Sequence, residues 1–481
     1  MATVRRFFVT NLLFVIVVNA LVKPAYVLGV DRVVQVQVGP AAYGIYQALV
    51  NLGLIFNVLL DFGLANYNVR MVAAAPDKLP ERMGPLLTAR LLLSTGFCAV
   101  VFTTAWLLGY DKTHLWLLAG ILLIQCLAQA HLFFRSCLSG LHQFKADSLL
   151  SVADRVLLIG VCAVLLHVPG FNLSWFVGAQ IGCYAVALIT GMLLVKRFSA
   201  VRYRLSLNLQ PVWKAMRATL PYALCAFLMS IYLRADAMLI ERMAGATEAG
   251  RYATAYRLLD VGHMFGLTFA SLLLPLYGKL FSEQKTVRPL VVTSVNLLLP
   301  ASFMVAAIGL FYALPVMELL YGNHGRSKEP ILEAPIFTVL MISFPALCLS
   351  NIYSTMFSAQ GSLKTQNRIA AVGCVVSLTA NLILIHQFRS VGAAWATFIT
   401  QWIVAGAYVW YSSRMARLPF TGRWVGLLFL YAFLAIALGY GSTFLPMKWM
   451  YQLMCYFVAM IGLLFPLGLV SPTALKQVLG R

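Results

Sequence analysis

Several ionisable side chains fall inside long apolar stretches of this chain: Lys23, Asp61, Arg234, Arg257, Asp260 and His263. A charge at the centre of a membrane helix costs ~2.5–3.5 kcal/mol, so each of these asks for a counter-charge, a wet cavity or a bound ion. Cations and a histidine at such depth can hold a polar or anionic ligand through charge-assisted hydrogen bonds, and acids there can hold or exchange a cation. Lys23, Arg234, Arg257 and His263 are therefore candidate substrate contacts, and Asp61 and Asp260 candidate coupling or cavity acids.

Spacing sharpens one of these groups. Arg257 and Asp260 lie one helical turn apart, with His263 three residues further on. Counting inward from Tyr252 at ~1.5 Å per residue places Asp260 and His263 roughly 12–17 Å deep. Such a stripe either faces a wet cavity or holds a self-satisfied Arg257–Asp260 pair against another helix. Arg234 and Asp236 either join that set or pair with each other. Lys23, just before Pro24, is either a cavity cation or a lysine that snorkels to the interface. Asp61, in Leu-Leu-Asp-Phe-Gly, is either a coupling acid, a partner to a cavity cation, or a helix-end cap beside Gly63. Arg90 and Arg135 read as headgroup anchors near helix ends.

The elements that must position these residues are transmembrane helices. Of 481 residues, 61% are hydrophobic and 11% charged, where a soluble domain carries roughly 25% charged residues. Runs long enough to cross a hydrocarbon core of ~30 Å fall near 7–29, 44–67, 86–109, 114–134, 149–168, 174–195, 217–240, 252–280, 288–317, 334–358, 369–388, 391–412, 423–444 and 449–470. The expected fold is an all-α integral membrane protein with about fourteen spanning helices. The first run, behind Arg5 and Arg6, reads as an uncleaved helix rather than a signal peptide.

The net charge of +21, from 36 Lys+Arg against 15 Asp+Glu, gathers mostly in alternate connections between runs. Arg70, Lys78, Arg82, Arg135, Lys145, Arg155 and the stretch Lys196 to Arg217 fall on one side, which by the positive-inside rule is cytoplasmic, with both termini. Such a pattern meets anionic lipid headgroups, not nucleic acid. The nine cysteines are scattered without metal-ligand spacing, no Gly-rich nucleotide loop occurs, and no cofactor is expected. The outward loop Tyr321 to Glu333, with His324 and Arg326, carries no catalytic pattern, so a transporter is expected rather than an enzyme.

An internal repeat divides the chain. Gly39-Pro-Ala-Ala-Tyr-Gly-Ile-Tyr46 and Gly245-Ala-Thr-Glu-Ala-Gly-Arg-Tyr252 both read G-x-x-x-x-G-x-Y, each eight or nine residues after an aspartate, Asp31 or Asp236. They open the second and eighth helices, six helices apart. This implies parallel six-helix lobes at 1–205 and 206–420, plus a helix pair at 421–481. The basic linker contains an amphipathic segment, Tyr203 to Trp213, suited to the cytoplasmic surface.

Three stretches carry a family likeness: 39–70 with YGIYQALVNLGLIFNVLLDFGLANYNVR, 234–260 with RADAMLIERMAGATEAGRYATAYRLLD, and 357–401 with VGAAWAT inside it. They resemble Wzx-type polysaccharide or oligosaccharide flippases, in the superfamily that also holds multidrug exporters and lipid II flippases. The resemblance implies two halves around a cavity that opens alternately to either side. It implies that the cargo is an undecaprenyl-pyrophosphate-linked oligosaccharide, such as an O-antigen repeat unit of lipopolysaccharide. It further implies a bacterial inner membrane and, as partners, membrane lipids and polysaccharide polymerase machinery. The competing expectation within the superfamily is a cation-coupled multidrug exporter.

Overall fold

Glycine followed by a helix start is what turns this chain between its first two crossings. In the computed structural model, Gly39 has φ 81° and ψ 166°, a left-handed corner open to glycine at no steric cost. Pro40 then begins the next helical stretch, where its missing N–H is not needed. Residues 21–199, 201, 203–206, 210–322, 328–415 and 422–469 are described. The beginning of the first apolar run, the loop with His324 and Arg326, and the far end of the last run lie outside them.

The elements are helices: α1 Leu21–Phe56, α2 Leu64–Ala74, α3 Leu79–Leu107, α4 Lys112–Gly140, α5 Phe144–Leu165, α6 Leu173–Phe198, α7 Gln210–Ala244, α8 Ala246–Ser282, α9 Arg288–Phe311, α10 Ala313–Tyr321, α11 Glu329–Gln360, α12 Leu363–Met415, α13 Gly422–Ser442 and α14 Trp449–Leu464. No strand occurs among the described residues. Among the described residues, eleven helices are long and apolar enough to cross a membrane. At 53 residues, α12 would extend about 80 Å, far beyond one crossing. It is broken at Arg389, whose φ is 52° and ψ −128°. A Cβ on Gly392 would collide with the Leu384 carbonyl, although residues eight apart in a straight helix are ~12 Å apart. The chain therefore turns back there. Counting α1 and α12 as two crossings each, and adding the shorter α14, gives fourteen.

Large apolar side chains face outward, with Trp116 81% and Val458 73% exposed, whereas Asn68, Ser302, Glu333 and Asn381 are fully buried. That inversion suits a protein whose solvent is hydrocarbon. This is a multi-pass membrane protein.

Two compact units divide the chain, Met1–Gly250 and Arg251–Arg481, so α7 packs within the first unit. There it lies along α1, while α4 packs on α6 and α2. At one end of this unit Leu64, Val72, Met83, Phe133, Phe134 and Val195 form an apolar cluster that also takes in Val201 and Val212. The linker is strapped to this cluster rather than lying free on a surface. Tyr203 donates to the Met192 carbonyl at 2.6 Å, its ring meets Phe134 edge-on at 5.8 Å, and the Ser206 N–H reaches the Thr88 hydroxyl at 3.0 Å.

In the second unit α11 is the central helix, flanked by α9 and α12. The final helix pair is tied to α9. Trp424 donates to Asn296 at 2.7 Å, and Tyr312 and Ser442 share a hydrogen bond at 2.6 Å.

Each repeat tyrosine is fixed to the last helix of its own repeat. Gln180 of α6 donates to the Tyr46 hydroxyl at 3.0 Å, and the Tyr252 hydroxyl meets Thr397 of α12 at 3.0 Å. Both bonds are buried, so Tyr46→Phe and Tyr252→Phe should each cost about 0.6–1.7 kcal/mol. Reversible unfolding in mixed micelles measures the loss. Wild-type stability in both variants would mean the bonds carry no weight.

Candidate functional site

Arg155 lies eleven residues into α5, roughly 17 Å along a helix that starts at Phe144. It is therefore at membrane depth, not in the cytoplasmic connection to which its charge had assigned it. Its guanidinium sits 4.7 Å from the centre of the Tyr26 ring and 5.9 Å from that of Tyr184. Aromatic faces on a guanidinium fix its plane while leaving N–H groups for other partners. Asp154 approaches it at 3.5 Å.

Lys23, on α1 three residues before Tyr26, lies within electrostatic reach of Arg155, Arg135 and Asp154. Arg135 on α4, read as a headgroup anchor, is bound to Asp147 on α5 at 2.8 Å and stays partly exposed near the end of its helix. His131, one turn before Arg135, bonds the Leu150 carbonyl at 3.1 Å. Among the described residues, three cations (Lys23, Arg135, Arg155) thus share one region with the carboxylates of Asp147 and Asp154. A π-helical turn, Val27–Asp31, follows directly; such turns are frequent at functional sites. At its end Asp31 is 1% exposed and accepts a hydrogen bond from Tyr43 at 3.0 Å.

Asp61 stands in a different constellation. Phe62 and Gly63 both take left-handed conformations, φ 46° and 79°, and this break separates the one-turn helix Val58–Asp61 from α2. The Asp61 carboxylate accepts from the Ala65 N–H at 3.1 Å and from Arg90 at 2.6 Å. Arg90 also donates to the Leu60 carbonyl at 3.2 Å and lies 5.0 Å from the Phe133 ring centre. It is 8% exposed. The headgroup role expected for Arg90 is replaced by a buried ion pair, and Asp61 is at once its partner and the cap of α2.

On α8 the structure brings Arg257 and Asp260 together at 3.5 Å, with the carboxylate buried. His263 is half-buried one turn on. Asp260 stands fourteen residues past Ala246, about 21 Å along the helix. These three belong to the second unit. Arg234 and Asp236 belong to the first, where Asp236 is 2% exposed and Arg234 half-buried.

The second unit also has an apolar cavity of about 290 Å³ between α9, α11, α12 and α13, lined by Leu299, Phe303, Tyr353, Trp402, Trp424 and Leu428 among others. In the first unit, Tyr110 in the turn after α3 donates to Glu241 on α7 at 2.8 Å. Burial, reinforced by that carboxylate, pushes the Tyr110 phenol up, so it keeps its proton as donor.

The model of a family described as polysaccharide biosynthesis protein matches residues 8–281, more than half of the chain. The chain belongs to that family. It is 24% identical over 162 residues to the probable lipid II flippase MurJ of Rickettsia prowazekii (strain Madrid E), covering 32% of this chain and 31% of that protein. Over 235 residues it is 22% identical to the capsular polysaccharide biosynthesis protein CapF of Staphylococcus aureus, covering 48% and 58%. The chain thus matches less than two thirds of the length of either relative. A lipid II flippase MurJ structure in an inward closed conformation aligns with a TM-score of 0.71 over 95% of this chain and 98% of that one, at 12% identity. An inward-facing MATE transporter aligns at 0.61 over 85% and 99%, at 14% identity. The fold of this polysaccharide biosynthesis family member is accordingly shared with both structures.

Of the residues in the Lys23 region, sequence reasoning missed Tyr26, Asp154, Arg155 and Tyr184 as site residues. One signal was there to read: Asp154-Arg155 interrupts an apolar run from both sides, which is unusual for a loop end. The Asp61–Arg90 pair joins positions 29 residues apart, beyond any local periodicity.

Removing one partner of a buried ion pair costs about 3–5 kcal/mol, because the other charge stays behind. Asp61→Asn and Arg90→Met should each destabilise the protein by that order. The double variant should lose clearly less than the sum, as read from a double-mutant cycle of unfolding free energies. Additive losses would refute the pairing.

Proposed function

We propose that this protein is a flippase moving an undecaprenyl-pyrophosphate-linked oligosaccharide from the inner to the outer leaflet of a bacterial inner membrane by alternating access. The observation that carries this reading is the cluster of cations around Lys23 and Arg155, held at membrane depth in a polysaccharide biosynthesis family member. Intramembrane cations are costly to insert. A pyrophosphate repays that cost by accepting charge-assisted hydrogen bonds, and the planar fork of an arginine suits phosphate oxygens. Tyr26 and Tyr184 keep that fork oriented, while Asp154 and Asp147 limit the local positive charge in the absence of cargo.

Arg234, Arg257 and His263 are proposed as further contacts to the anionic and hydroxylated parts of the cargo. Asp260 moderates Arg257 as its ion-pair partner. The six-helix lobes 1–205 and 206–420 are the proposed moving bodies, with 421–481 as an accessory pair. The apolar cavity that Trp424 and Leu428 help line suits a polyprenyl chain, which must stay in an apolar medium while its head crosses. The basic linker marks the cytoplasmic side, with both termini on it. Partner polymerases would receive the cargo outside.

A second reading, a cation-coupled multidrug exporter, draws on the MATE fold likeness and on Asp31, a buried carboxylate beside a π-helical turn. It gives no account of why cations gather around Lys23.

In cells lacking the native protein, Arg155→Ala and Lys23→Ala should each cut delivery of surface polysaccharide by about ten- to a hundred-fold. This corresponds to about 1.5–3 kcal/mol for a hydrogen bond to a charged group. Lipid-linked repeat units should accumulate on the cytoplasmic side. Normal surface glycan in a combined Lys23, Arg155 and Arg257 replacement, together with new drug sensitivity, would hand the case to the exporter.

A further inference from the structure

The repeated G-x-x-x-x-G-x-Y motif has a geometric counterpart within the first unit. A Cβ on Gly44, the second glycine of the first copy, would overlap the carbonyl oxygen of Ala246 and lie 2.6 Å from the Gly250 nitrogen. A Cβ on Gly250, the second glycine of the other copy, would overlap the carbonyl oxygen of Pro40 and lie 2.8 Å from its Cα. Ala246 follows Gly245 just as Pro40 follows Gly39. The two copies therefore cross with the same register in both directions, each presenting bare backbone to the other, as an isologous contact does. The first glycine of each copy, with φ 81° at Gly39 and 94° at Gly245, makes the corner that brings the helix start to the crossing.

We infer that this crossing is the outer seal of the transport cycle, a reading that rests on the alternating-access function proposed above. Three observations converge on it. Gly39 and Gly245 stand one membrane crossing away from the apolar cluster that holds the basic linker, at the end opposite the cytoplasmic charge. Gly44 and Gly250 each present bare backbone to the other copy, so at those two positions the surfaces meet and part without moving a side chain. A polar latch flanks the crossing three and four residues before Gly245. Glu241 accepts from Tyr110, while Arg242 lies 3.7 Å from the Tyr110 ring centre and donates to the Leu108 carbonyl at 3.1 Å. Latch and crossing together hold the end of α7 and the start of α8 against α1 and the turn after α3. Asn51, seven residues past Gly44 and so on the same helix face, lies two turns below the crossing and is buried.

The test uses the full chain with its nine native cysteines replaced and a single Asn51→Cys reporter. A membrane-impermeant maleimide is added to intact cells from outside. With the crossing intact, position 51 should be protected. Gly44→Val or Gly250→Val should each raise labelling at least ten-fold. Because both act on one crossing, the double variant should not exceed the larger single effect by more than about two-fold. Arg242→Ala, which opens the latch without inserting bulk, should raise labelling several-fold and serves if a valine variant fails to accumulate. Accumulated, monodisperse Gly44→Val, Gly250→Val and Arg242→Ala proteins that all keep position 51 protected would overturn the seal. Increased labelling in cells whose surface glycan never depended on the protein would keep the seal and remove the flippase reading. Unchanged labelling with glycan still dependent on the protein would do the reverse.

Discussion

A charge inside ~30 Å of hydrocarbon has no water to stabilise it, so the protein must supply its partner. At 4 Å separation and an effective dielectric near 20, two opposite unit charges attract by ~4 kcal/mol. That is the scale of the insertion cost for one of them. The helix arrangement follows this constraint. Arg90 is set against Asp61, Arg135 against Asp147, Arg257 against Asp260, and Arg251 against Glu329 at 2.8 Å. The first two pairs bind neighbouring helices of the first unit together. Around Lys23, by contrast, Arg135 and Arg155 gather on one spot, which is what the proposed anion site requires.

Hydropathy made the spans legible, because one apolar run of about twenty residues is enough to specify a crossing. It could not show that α1 and α12 run almost without interruption through two crossings each. Their corners, Gly39 and Arg389, occupy a single residue. The membrane-depth charges were only partly legible. Counting basic residues per connection assigns an arginine near a run's edge to a loop, and it places Arg155 there, while Arg90 reads as a headgroup anchor near a helix end. Folding instead begins α5 at Phe144, which carries Arg155 far into the helix. Partners distant in sequence, such as Asp61 and Arg90, depend on which helices pack together, and local spacing does not contain that information.

The internal repeat was legible as three matching positions, but its physical content was not. Its glycines and tyrosine have separate tasks. The first glycine turns the chain, the second removes a side chain where two backbones touch, and the tyrosine anchors the helix start to α6 or α12. Each of the three positions thus meets a different steric or hydrogen-bonding demand, and the same three demands recur in both copies.

These features bear on each other through the dielectric. A cationic region attracts a pyrophosphate strongly only where water is kept from one side, since the same charges at 4 Å are worth ~1 kcal/mol in bulk water. Closing that side with interdigitated side chains would make each opening a repacking event, slow and costly in rotamer entropy. Backbone contact at glycine gives a dry closure that stores little energy. Lys23 and Arg155 lie in the same unit as the Gly44–Gly250 crossing, and Lys23 and Gly44 lie on the two arms of α1, either side of its corner at Gly39. Displacing the start of α8 from Gly44 therefore acts on the element that carries the cation. In the proposed cycle, cargo charge and outer closure are thus linked through that helix and its corner at Gly39.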